Sequence, residues 1–495
     1  MSQVVGSAPA ALSRWRWLGL TGTLLLAVGA AGAGVLPRPD DLGDLPVIRT
    51  LRTDAGQTVC VVLAALGMAA LVAAWFGIRR SGPPSPRWIT ATTVIWSAPL
   101  VLAPPLFSRD AYSYAAQGDL LAHGLDPYSG GPADLPSQWL GSISPTWYDT
   151  PAPYGPLFLE LARFAVTLCG GQLPVAILLL RAVALVGVAL VAVYLPRLAR
   201  ACGVDPAGAL WLGLASPLLL AHFVSGAHND ALMVGLLVAG LAYAAERRGV
   251  AAGVLLALAI AVKAPAAVAL PFAALLWSAR WPGRGGIAQA AIRLGLVTAV
   301  TFAAVVVATG LGFGWVGAAL NTPGASVQWT SLPTGLGTAA GWVAGALGHP
   351  GAADTCVAAA RAAGTVLTLA ILVALGLAAW RRAPDTRFVV AACGWALLAV
   401  VVLAPAFHPW YLLWAAVPLA ASTVDNRVRT GLAAACAALC FLVLPDGYNL
   451  ARSTRIAGTL LDVAVAVGLV VFALRWLRSR RATTPAADAP VGSSR

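Results

Sequence analysis

Stretches of about 20 residues with almost no charge, long enough to cross the hydrocarbon of a bilayer, recur from Trp15 almost to Trp476 and leave few folds open to this chain. Of its 495 residues 59% are apolar and only 10% charged, with a mean hydropathy of +0.81, more apolar surface than a soluble globule of this length hides. The chain is read as an all-α polytopic membrane protein. One integral domain is expected over 16–478, between a cytoplasmic N-terminal segment, 1–15, and an Ala/Pro/Ser/Thr-rich tail, 479–495, expected to be disordered.

The net charge of +13 does not point to nucleic acid, because the arginines come in pairs between apolar runs, as they do in cytoplasmic loops. Lys263 is the single lysine among 32 basic residues. Seven cysteines lie mostly inside apolar stretches with no CxxC, which suits packing rather than zinc or disulfides. Arg14 and Arg16 precede a run that is long for a signal peptide and is read as an uncleaved helix.

Spans are expected near 16–36, 57–77, 88–106, 173–195, 206–224, 229–245, 249–263, 265–280, 287–311, 357–380, 387–406, 409–424, 429–446 and 456–476, fourteen in all. With both termini inside, 21 of 31 arginines fall on the cytoplasmic side, in agreement with the positive-inside rule. This requires the apolar stretch from Tyr154 to Cys169, which contains Glu160 and Arg163, to lie in the outer interface as an amphipathic helix. The long outer loops are then 107–172 and 312–356, and polar residues beyond the needs of solubility concentrate there.

The first outer loop opens Phe107-Ser108-Arg109-Asp110-Ala111-Tyr112-Ser113-Tyr114. A carboxylate at the membrane surface beside an arginine and tyrosines suits a general base meeting a polar acceptor and a lipid-borne donor. Equally, Asp110 caps the helix that runs to His123. Gly124-Leu125-Asp126-Pro127-Tyr128 reads as a helix stop and a turn, and Thr150-Pro151-Ala152-Pro153-Tyr154-Gly155-Pro156 as a stiff entry into the interfacial helix.

His228-Asn229-Asp230 forms a tight outer corner, where Asp230 is a helix cap or a site acid. Phe407-His408-Pro409-Trp410-Tyr411 makes a similar corner with the character of an aromatic belt. Lys263 stands where two apolar segments meet without a polar loop, so the chain must break there. Its ammonium needs an anion or a wet pocket, which a lipid-linked phosphate would supply, unless it snorkels from a helix end. Arg452 and Arg455, with Asp446, Tyr448 and Asn449, make a positive outer loop that clamps a phosphate or meets lipid headgroups.

Taken together, the strings from Asp110 to Gly118, Gly124 to Tyr128, Thr150 to Leu157, His228 to Asp230 and His408 to Tyr411 resemble the actinobacterial polyprenol-phosphomannose-dependent α-1,6-mannosyltransferases, over nearly the whole chain. The resemblance implies a type C glycosyltransferase fold with about fourteen transmembrane helices and interfacial helices in the first long outer loop. It implies Asp110 as catalytic base, Asp119, Asp126 and Asp149 being rival carboxylates. It further implies a polyprenyl phosphomannose donor, a glycolipid mannan acceptor of lipomannan and lipoarabinomannan synthesis, inversion at the anomeric carbon, and a site on the extracytoplasmic face of the plasma membrane.

Lys263, Arg452, Arg455 and Arg109 are the candidate phosphate cations, and Tyr154, Trp329, Trp410 and Tyr411 the candidate sugar platforms; Tyr112, His228, Asp230 and His408 complete the expected substrate-binding set. No DxD or paired acids stand near Asp110, so neither a metal-bridged nucleotide sugar nor a cofactor is expected. The rival readings are a transporter or flippase of lipid-linked saccharides, which predicts matching broken helices in two halves, and a type C transferase for another sugar.

Overall fold

The computed structural model describes residues 7–36, 41–82, 84–281 and 284–482. The chain is nearly all helix; the one sheet among these residues is a two-stranded antiparallel ribbon pairing Val443 with Asn449 and Leu444 with Tyr448. Each of the fourteen expected segments is helical, though not all to full length. Seven helices are long and apolar enough to span a membrane: Leu12–Ala33, Asp54–Arg80, Leu173–Ala201, Gly285–Thr309, Pro350–Arg381, Thr386–Leu403 and Arg455–Phe472. The pair Pro206–Gly213 and Pro217–Ser225, bent by 45°, makes an eighth if it is one span. Asp230–Ala245, Gly249–Val262 and Ala264–Ser278 are shorter apolar helices. Of the tail expected from residue 479, residues 479–482 continue the last helix and the rest lie outside the described residues.

The loops group at the two ends of the bundle as the arginine count predicts. At one end Trp15 Nε1 donates to Ser81 Oγ, Arg16 reaches the Trp88 carbonyl and Thr92, Arg79 reaches Asn426, and Arg197 pairs with Glu246. At the other end gather the start of the helix Asp110–Ala122, the 226–229 corner, the break at Lys263, the 404–411 corner and the 443–449 ribbon.

Two local devices shape that second end. The helices Asp110–Ala122 and Pro156–Leu168 pack so closely that a Cβ on Gly118 would lie 2.5 Å from the Ala162 carbonyl carbon, and the first helix stops at Gly124 with φ +76. Pro156–Leu168 buries Phe158, Leu159, Ala162, Ala165 and Val166 and exposes Phe164 and Leu168, as an interfacial helix does. The bent pair ends in a π-helical turn, Leu220–Ser225, whose free carbonyls are satisfied by a buried cation. Arg181, 1% exposed, donates to the carbonyls of Val224 at 3.1 Å, Ser225 at 2.9 Å and Val101 at 2.5 Å. One guanidinium thus ties three segments together directly behind the His228 corner.

Candidate functional site

Two cavities meet at Asp110. The first, about 360 Å³, has walls that are mostly apolar, including Pro151, Pro153, Pro265, Val400 and Ala404, with Lys263 and Tyr411 on its polar side. The second, about 460 Å³, is lined by Asn449, Gln328, Tyr448, Asp446, Arg109 and Arg452. Asp110, Trp147, Ser326 and His408 belong to both walls.

Asp110 is the first residue of its helix, and its side chain is one-fifth accessible. It is not the cap: Ser108 Oγ accepts from the Asp110 N–H at 3.1 Å, and the carboxylate is instead 3.3 Å from His228 Nδ1. Burial alone raises this carboxyl, but the hydrogen bond from His228 and the nearby charges of His408 and Lys263 outweigh it and hold the group below its ordinary value, so it is ionised at neutral pH. His408, at the corner before Pro409, is pushed down to about 4 by burial and is neutral at pH 7.

Lys263 is held at a helix break, as its surroundings predict: Gly249–Val262 ends, Lys263 is extended, and a short turn of 3-10 helix follows. The Gly155 N–H donates to Val262 O at 3.0 Å, so the stiff Pro-rich string docks there and carries Tyr154 to within 5.6 Å of the ammonium. The ammonium also faces Tyr411 at 4.8 Å and Trp414 at 5.4 Å. It does not lack a counter-charge, which corrects the premise read from its apolar flanks. Asp230 accepts from it at 2.9 and 3.0 Å and from Trp414 Nε1 at 2.7 Å. An anion in the first cavity would be a second partner for Lys263 rather than its first.

Other expected site residues fall differently. Tyr112 is not at the site, since it is buried with its hydroxyl donating to the Val35 carbonyl at 2.8 Å. Asp230 and His228 are fully buried and line neither cavity, so they support the wall rather than touch a substrate. Arg109 lines the second cavity but is engaged by both carboxylate oxygens of Asp446, at 2.6 and 2.8 Å. Arg452 is exposed at the rim of that cavity, whereas Arg455 lines a separate one with Arg361. Trp410 is buried and stacks on His228 and His408; Tyr411 and Tyr154 line the first cavity. Trp329 packs over Gly458 and donates to Thr454, away from both cavities.

The rival carboxylates line neither cavity: Asp119 faces His123, Asp126 accepts from the Tyr128 N–H, and Asp149 is exposed. Sequence reasoning missed Ser113 and Gln117, three and seven positions after Asp110 and hence on its helix face, and Trp414, which belongs to the face of Tyr411. Among the described residues no group of three His, Cys, Asp or Glu side chains is placed to hold a metal ion.

Comparison with known proteins assigns this arrangement. A family model described as alpha-(1->6)-mannopyranosyltransferase, N-terminal domain, matches residues 16–279, and one described as MptB C-terminal domain matches residues 333–484. The chain is 36% identical to alpha-(1->6)-mannopyranosyltransferase A of Mycobacterium tuberculosis, covering 87% of this chain and 84% of that protein. It is 34% identical to a probable alpha-(1->6)-mannopyranosyltransferase of Mycolicibacterium smegmatis, over 97% and 91% of the two chains. Identity to alpha-(1->6)-mannopyranosyltransferase B of Corynebacterium glutamicum is 31%, over 91% and 80%. No solved structure matches. The chain therefore belongs to the alpha-(1->6)-mannopyranosyltransferase family and is a multi-pass membrane glycosyltransferase.

Proposed function

We propose that this enzyme transfers mannose from polyprenyl phosphomannose to an α-1,6-mannan acceptor of the lipomannan and lipoarabinomannan type, with inversion and with Asp110 as the base. The observation that carries this reading is the position of Asp110 in the wall between a mostly apolar cavity and a polar one. The apolar cavity suits a donor whose phosphate lies near Lys263 and whose prenyl chain follows the Val400 and Ala404 side. The polar one suits a saccharide, with Arg452, Gln328 and Asn449 among its walls. The acceptor 6-hydroxyl attacks the anomeric carbon, its proton passes to Asp110, and the bond from that carbon to the phosphate oxygen breaks with the electron pair leaving on the phosphate. Lys263 attracts the charge that develops there.

The same reading has fourteen spans in a type C fold, in the plasma membrane, with the Asp110 end outside. The grouping of arginine-bearing loops at the opposite end supports it. The direct experiment incubates purified protein in bilayer nanodiscs with labelled polyprenyl phosphomannose and a synthetic α-1,6-mannoside. Label is expected in an α-1,6-linked product. Movement of intact donor across a vesicle bilayer without label in a glycan would instead mark a flippase, and transfer only from a different polyprenyl phosphosugar would change the sugar.

A further inference from the structure

The corner behind Asp110 carries a histidine with no access to either cavity. His228 is fully buried, its Nδ1 is 3.3 Å from Asp110 Oδ2 and 3.4 Å from the Tyr114 hydroxyl, and its Nε2 is buried with no hydrogen-bond partner among the described residues. Its ring stacks on Trp410 with centroids 3.9 Å and planes 24° apart, and Trp410 in turn stacks on His408 at 4.7 Å and 15°. The corner is fixed from behind by Arg181, which holds the Val224 and Ser225 carbonyls, and Ala227 takes a φ of 53° to close it. A buried ring with one nitrogen unpartnered and the other against a carboxylate has a single polar contact of consequence.

We propose that His228 is a positioning residue for Asp110: its Nδ1–H donates to Oδ2, fixes the carboxylate rotamer against the Trp410 stack, and leaves Oδ1 to receive the proton of the acceptor hydroxyl. This rests on the reading of Asp110 as the base. It replaces a substrate contact, which a fully buried ring does not make, with a role exerted through another side chain.

The charged and titratable groups that face Asp110 come from four elements. His228 and His408 come from the two corners, Lys263 from the helix break, and Tyr114 and Tyr154 from the loop helix and the Pro-rich string. Asp230 and Tyr411 stand beside Lys263, His222 stands behind His228, and Arg109 is turned to Asp446. Burial raises the Asp110 carboxyl and the His228 contact lowers it, so removing the contact moves the ionisation upward.

Two substitutions separate positioning from packing in the full-length enzyme in nanodiscs. His228→Phe keeps a ring on Trp410 and removes the donor, while His228→Asn keeps an N–H near the Nδ1 position and gives up the ring. With saturating donor and acceptor, His228→Phe should move the acid limb of the kcat profile upward by about one pH unit, with both KM values within about twofold of wild type. His228→Asn should keep the wild-type limb. An unmoved limb in a His228→Phe protein of wild-type melting temperature overturns the proposal, as does a rise in donor or acceptor KM at constant kcat, which marks a direct contact. If His228→Phe does not fold, an upward-shifted limb in His228→Asn overturns it. Full activity of Asp110→Asn would remove the base reading and this one together; an inactive Asp110→Asn with an unmoved His228→Phe limb removes only this one.

Discussion

The two ends of the bundle handle charge in opposite ways. At the arginine-rich end Arg197 and Glu246 pair with about a third of each side chain in water, Arg79 rests on the Trp211 ring, and Asp205, Asp385 and Asp425 spend their carboxylates on helix N-termini. At the Asp110 end Lys263 and Asp230 pair at 10% and 0% exposure, and Asp110 meets a histidine with no exposure at all. Exposed pairs contribute little to stability, so the first pattern needs only orientation and capping to explain it. Charges taken out of water cost several kcal/mol each unless paired, and a membrane protein that retains them is using them. The difference teaches that the chemistry is to be sought where burial and charge coincide, not where charge is most abundant.

The comparison breaks most readily at its buried pair. Lys263→Met leaves the Asp230 carboxylate unpaired and should destabilise the protein by about 3–5 kcal/mol, read as a lowered melting temperature in detergent. Adding Asp230→Asn should recover most of that loss, because the stranded charge is gone. A double variant that melts like wild type yet needs far more donor for half-maximal rate, with acceptor dependence unchanged, would show that Lys263 serves the phosphate as well as the fold. Equal donor affinity in wild type and double variant would confine the lysine to a structural role.

The opposite end should be nearly silent. Arg197→Gln removes an exposed partner of Glu246 and should cost about 0–1 kcal/mol, with transfer rate unchanged. A large loss of activity from this substitution would show that the two ends are coupled and that the contrast is misdrawn.

Much of this was legible in the chain because lipid imposes a simple rule on it. Uncharged runs marked helices, paired arginines sorted the loops, and a lone lysine between apolar segments marked a break that the backbone makes. Helical phase was equally available: Tyr112, two positions from Asp110 and about 200° round the helix, points away into Val35, while Ser113, Tyr114 and Gln117 share the Asp110 side. What one dimension hides is pairing at a distance. Asp230 and Lys263 are 33 positions apart, Arg109 and Asp446 337, and either basic residue looks free for a phosphate until the partner is seen. Arg181 carries a visible signal, a single cation inside an apolar run, yet its partners are three carbonyls from two other segments, and no spacing rule points to them.

The claim on which the rest depends is that Asp110, between the two cavities, takes the proton. Asp110→Asn keeps size and shape at that point and removes only the charge. The helix start retains its cap because Ser108 supplies it. With expression and melting temperature matched to wild type, mannosyl transfer from labelled polyprenyl phosphomannose should fall by about a hundred- to ten-thousand-fold, while donor binding persists. Transfer within about threefold of wild type would contradict the account and send the role of base to Asp119, Asp126 or Asp149.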